Sequence, residues 1–92
     1  MKNIVINFSL CKYPMDMHNE IKEKLDLPEW YGNNLSALWD VLTGFIETPV
    51  SITVIFKPET KATEVLKENV LKIIETFKET AEEEKIKFNC DM

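Results

Sequence analysis

One histidine, two cysteines and sixteen acidic residues are the groups with which this chain could do hydrolytic, redox or metal chemistry. His18 has Asp16 and Glu20 two residues away on either side, a pattern that reads as a solvated helix face. Cys11 could act as a nucleophile, but the sole imidazole in the chain would have to be brought to it by folding. Carboxylate pairs are inevitable by chance when 92 residues carry sixteen acids, so they carry no signal for acid–base catalysis. Cys11 and Cys90 are far apart and neither has a second ligand within a few residues, so free, mostly buried thiols are expected and no metal site. Glu82, Glu83 and Glu84 lack the alternating oxygens and central glycine of a calcium loop and read as a solubilising patch. The two glycines do not form a phosphate cradle. These residues predict no enzyme, no cofactor and no metal.

Binding chemistry is better provided for. Eleven basic against sixteen acidic residues leave a net charge of −5, and every cation is lysine. Affinity for nucleic acid comes chiefly from Lys and Arg displacing condensed counterions, so direct binding to it is disfavoured and a basic partner is expected. The charge is also uneven. From Leu25 to Phe56 no lysine occurs, whereas Asp26, Glu29, Asp40 and Glu47 all fall there. Both tryptophans and Tyr31 share this stretch, and aromatic side chains beside desolvated polar groups are the usual content of protein-binding hot spots.

The elements that must position these residues follow from periodicity and punctuation. At 45% apolar and 29% charged the chain is of ordinary globular composition, and its length predicts one domain over 1–92. Ile4, Val5, Ile6 and Phe8 predict a first strand. Met17, Ile21 and Leu25 recur at four-residue spacing and predict an amphipathic helix ended by Leu27-Pro28. Asn33 or Asn34 can cap a second helix carrying Leu35, Leu38, Trp39 and Leu42, with Gly44 as its stop. The β-branched run Val50 to Phe56 predicts a second strand. After a loop or helical turn around Thr60 to Thr63, a long helix places Leu66, Val70, Ile73, Ile74, Phe77 and Ala81 on one face. Three acids at its carboxyl end oppose the helix dipole and predict that the last turn frays or has already become loop. Ile86, Phe88 and Cys90 alternate with Lys85, Lys87 and Asn89 in a third strand. Helices between strands are how parallel neighbours are joined, so this order predicts a small α/β layer fold. Lys2 followed by a short apolar run broken by Asn3 and Asn7 is not a secretory signal, and no segment approaches a membrane span, so the cytoplasm is the expected compartment.

The densest pattern is Leu27-Pro28-Glu29-Trp30-Tyr31-Gly32-Asn33-Asn34-Leu35-Ser36-Ala37-Leu38-Trp39-Asp40-Val41-Leu42-Thr43-Gly44. Leu35, Leu38 and Leu42 are core residues by spacing. Asp40 falls four residues after Ser36 and shares a polar stripe with it and Asn33, which is a candidate binding face. Read as Leu-Pro-x-x-Tyr-Gly-x-Asn-Leu-x-Ala-Leu-Trp-Asp-x-Leu-Thr-Gly, this stretch resembles the barstar family of intracellular ribonuclease inhibitors, and the order of elements agrees along essentially the whole chain.

The resemblance implies a three-stranded parallel sheet packed with three to four helices. It also implies a function in toxin immunity, exercised by plugging the active-site cleft of a secreted barnase-type ribonuclease with the second helix and the loop before it. On that basis Trp30 and Gly32 contact the enzyme, Tyr31 and Asn34 support the loop, and Asp40 enters the cationic substrate site in place of a phosphate. Phe45 is a further aromatic contact, with Thr43 and Gly44 beside it and Trp39 in the same stretch. Ser36 departs from the family, standing where the well-studied member has a second acid, so one charge-assisted contact is missing. Glu68 is a candidate from the long helix. The partner implied is a basic ribonuclease or related toxin, met by a chain that is monomeric when free. The alternative is a binding module of the same fold that recognises another toxin or a regulatory protein, and the Ser36 departure is what favours it.

Overall fold

A computed structural model describes residues 2–58, 63–83 and 85–92. Its elements are β1 (Lys2–Asn7), α1 (Pro14–Lys24), α2 (Leu35–Gly44), β2 (Val50–Ile55), α3 (Glu64–Glu83) and β3 (Ile86–Asp91). The strands form one parallel sheet in the order β1-β2-β3, with Ile4 opposite Ile52 and Ile52 opposite Phe88. Period-two alternation sends Ile6, Val50, Ile52, Val54 and Ile86 into the core. Val5 points to the other face and is half exposed. The architecture is the α/β fold with a three-stranded parallel sheet and three helices that the strand and helix order predicts.

The long helix is the centre of the packing. α3 contacts α1, α2 and β3, burying Leu66, Val70, Ile73, Ile74 and Phe77, and Phe77 stacks on Phe88 with ring centroids 5.2 Å apart. The Leu66 N–H donates to the Thr63 hydroxyl at its amino end. At the other end the expected fraying through Glu82 and Glu83 is not found, because the helix continues through Glu83. Thr80, fully buried, anchors that turn, and its hydroxyl donates to the Thr76 and Phe77 carbonyls. Packing there outweighs a dipole term of a few tenths of a kcal/mol. Glu84 and the expected turn over residues 60–62 lie outside the described residues.

Three further expectations are corrected. Both cysteines are free, as expected, but only Cys11 is even partly buried. β3 is an edge strand whose inward face passes from buried Ile86 through half-buried Phe88 to exposed Cys90. α1 ends before Leu27-Pro28, in a Schellman motif: the Leu27 N–H donates to the Lys22 carbonyl at 2.9 Å and the Asp26 N–H to that of Glu23 at 3.3 Å. Asp26 takes the left-handed conformation this requires, with φ 51°. Gly44 is not a left-handed stop either. No glycine has positive φ, and Phe45, in right-handed helical geometry, caps α2.

Candidate protein-binding face

The loop between α1 and α2 is built around Tyr31. Its side chain is 3% exposed, and its hydroxyl lies 2.9 Å from Nδ1 of His18, itself 6% exposed. This overturns the reading of His18 as part of a solvated face. The signal was present in the sequence, because His18 follows Met17 and precedes Ile21 by three positions, which widens the apolar stripe of α1 to include it. Burial lowers the pKa of the His18 imidazole and raises that of the Tyr31 phenol well above its ordinary value. The pair is therefore a neutral hydrogen bond at neutral pH.

Anchoring Tyr31 inward turns its neighbours outward. Trp30 is 66% exposed and meets Phe45, 46% exposed, edge to face with centroids 5.5 Å apart. The loop thus runs back along α2, with Trp30 at the carboxyl end and Gly32 against the first turn. A Cβ on Gly32 would lie 3.2 Å from Asn34 Nδ2 and 3.4 Å from the Ala37 Cβ, so a side chain there would press the Asn34 amide aside by a few tenths of an ångström. Asn34 fastens both: its amide nitrogen donates to the Gly32 carbonyl, and its Oδ1 accepts the Ala37 N–H at 2.8 Å as the N-cap. Asn33, the other capping candidate, has φ 52° and does not cap.

α2 buries Leu38, Val41 and Leu42 and keeps Leu35 and Trp39 half-buried. Its outward positions are Ser36, Asp40 and Gly44, with Thr43 half-buried and its hydroxyl donating to the Trp39 carbonyl. Asp40 has no ion-pair partner among the described residues. Lys22 reaches Glu29 in the loop at 3.4 Å, but Glu29 is fully exposed and such a pair contributes little. Glu68 is exposed on α3, and its neighbour Asn69, which the sequence did not single out, lines a groove of about 400 Å³ at the amino end of α2 with Met15, His18, Asn33, Asn34 and Ser36. Burial, with Glu20 and Asp16 nearby, pushes the Cys11 thiol up to about 11, so it is a poor nucleophile at neutral pH. No cluster of three metal-ligating side chains occurs among the described residues, and no helix there is long and apolar enough to cross a membrane.

The fold is thus a small parallel α/β layer in which a capped helix displays Asp40 with no ion-pair partner among the described residues, and the exposed rings of Trp30 and Phe45 meet at that helix's carboxyl end. The chain belongs to the Barstar (barnase inhibitor) family, whose model matches residues 1–92. It is also similar to a protein of Bacillus subtilis (strain 168) named "Putative ribonuclease inhibitor YrdF", with 40% identity over 52 residues. That match covers 56% of this chain and 57% of the relative, so the chain aligns with little more than half the length of that curated protein.

Proposed function

We propose that this chain is a single-domain ribonuclease inhibitor that blocks a barnase-type active site with α2 and the loop before it. The observation that carries the reading is Asp40, exposed at the middle of α2 without a cation of its own among the described residues. An enzyme that binds RNA presents cations in a cleft, and a carboxylate held on a rigid helix satisfies them where a phosphate would otherwise sit. Trp30 and Phe45 supply large apolar contact area beside it, while Gly32, Asn34 and Tyr31 hold the loop in register. Ser36, Trp39, Thr43 and Gly44 complete the face. Such an inhibitor acts in the cytoplasm, where the enzyme would damage the cell that makes it, and performs no catalysis of its own.

Titration against a barnase-type, guanyl-preferring ribonuclease, following RNA cleavage at low and physiological salt, tests this. Stoichiometric inhibition is expected, and none at micromolar protein would refute the barnase-type assignment. A second reading rests on Ser36, which removes a carboxylate from the face: the same fold then recognises a different toxin. Recovery from the native source of a partner without a cationic cleft would favour it.

A further inference from the structure

The His18–Tyr31 pair is buried, links residues 13 apart in the chain, and is not used by a face made of Asp40, Trp30 and Phe45. Other links between α1 and the loop are the Leu27 N–H to Lys22 and Asp26 N–H to Glu23 carbonyl bonds and the exposed Lys22–Glu29 pair. None reaches Trp30 or Gly32. Tyr31 stands between these two, so the bond to its hydroxyl adds an anchor on α1 to the Asn34 bond on Gly32 and the Phe45 contact of Trp30.

We propose that His18 is a positioning residue for the docking loop, holding Tyr31 in its neutral form, and that protonation of His18 and docking of a cationic partner exclude one another. This rests on the ribonuclease-inhibitor reading for the nature of the partner, though not for the link between His18 and the loop.

The surroundings of the ring support the coupling. Nδ1 faces Tyr31, and the ring also lines the groove at the amino end of α2. From α2 and its cap the groove receives Asn34, Leu35 and Ser36, from the loop Asn33, and from α3 Asn69, none of them ionised. On α1 itself Asp16 and Glu20 act on the Cys11 thiol, Lys22 pairs with Glu29, and burial is the one cause that moves His18. Among the described residues no carboxylate pairs with the ring, so an imidazolium there lacks a counterion from them. It would also donate from both nitrogens, so the Tyr31 hydroxyl could only accept, whereas the neutral ring allows the bond in either direction. A partner seated on Asn34, Ser36 and Asp40 covers this groove and brings cations to it, and both effects disfavour the charged ring further. By linkage, a proton that must leave for docking makes the complex weaken as pH falls, up to about tenfold per pH unit for one proton.

The test compares wild type with His18→Gln, which can hydrogen-bond to Tyr31 but cannot titrate, and with His18→Leu, which can do neither. Each is titrated against a barnase-type ribonuclease at constant ionic strength from pH 8 down through the His18 pKa, which the magnetic resonance titration of the ring supplies. Titrations belonging to the ribonuclease are common to all three and cancel in the ratios. The affinity of wild type relative to His18→Gln is expected to fall as pH drops through the His18 pKa of the free protein, approaching about tenfold per pH unit below it. His18→Gln is expected to match wild type at pH 8 and His18→Leu to bind more weakly throughout. Parallel wild-type and His18→Gln profiles would overturn the linkage. In the free wild-type protein, the backbone amides of Trp30 and Gly32 should shift with the His18 ring in a nuclear magnetic resonance titration. Amides that stay fixed while the ring titrates would overturn the positioning role, whether or not any ribonuclease is inhibited. If no ribonuclease is inhibited at any pH while those amides do follow His18, the inhibitor reading fails and the positioning role stands.

Discussion

Asp40 and Tyr31 belong to one motif but have opposite surroundings. Tyr31 is spent on folding: its ring is buried and its hydroxyl is held by His18. Asp40 is exposed on α2 and makes no ion pair among the described residues. Replacing it should therefore separate binding from stability. Asp40→Ala is expected to leave the thermal midpoint within a degree or so, since surface changes away from special features are usually within about 0.5 kcal/mol. It should weaken inhibition of a barnase-type ribonuclease by about 3–5 kcal/mol, because the partner's cations would be left buried and unpaired. Inhibition constants and melting curves of the two proteins check both halves. An alanine variant that inhibits like wild type would remove Asp40 from the face.

At the scale of elements, the site depends on two helix ends. α1 stops at Asp26 in the left-handed region, where a Cβ costs energy that glycine avoids. Asp26→Gly is expected to stabilise the protein by up to about 1 kcal/mol, or about 4–8 °C in melting temperature for a domain of this size. A melting point that falls would show that the aspartate side chain contributes more than the backbone strain it causes. α2 starts at Asn34, whose side chain satisfies the Ala37 N–H and grips the Gly32 carbonyl. Asn34→Ala should cost about 1 kcal/mol for the cap. It should also weaken ribonuclease binding, since the loop loses its tie to the helix. Denaturant unfolding and inhibition assays on the same variant separate the two effects.

At the scale of the whole molecule, the charges act as a field. The lysine-free stretch from Leu25 to Phe56 contributes the loop, α2 and the central strand, so a cationic ribonuclease should be steered toward that side. Its association rate with this protein should fall steeply as salt rises and the screening length shrinks to about 8 Å near physiological ionic strength. Stopped-flow association across a salt series checks this, and a flat series would exclude steering. Global stability should also depend on pH through His18. Its pKa in the folded state lies below the unfolded value of 6.5, so the unfolded chain binds the proton first as pH falls. The contribution is complete above 6.5 and is lost as pH drops through the folded value. The His18→Gln variant should lack this part of the profile in urea titrations between pH 8 and pH 5.

What the sequence determined by itself was local. The i, i+4 pattern of Met17, Ile21 and Leu25, the β-branched run of β2 and the stripe on α3 made the elements and their parallel arrangement legible, because periodicity is set by backbone geometry alone. The eighteen residues from Leu27 to Gly44 were dense enough to carry the family. Tertiary structure decided what depends on a distant neighbour. His18 is buried because Tyr31 arrives from 13 residues away. Glu82 and Glu83 stay helical in a helix whose next turn back is anchored by buried Thr80, and Cys90 is exposed because β3 lies at the sheet edge. His18 left a trace in the apolar stripe of α1, but its partner did not, and the position of β3 in the sheet is likewise set by packing rather than by any local preference of the chain.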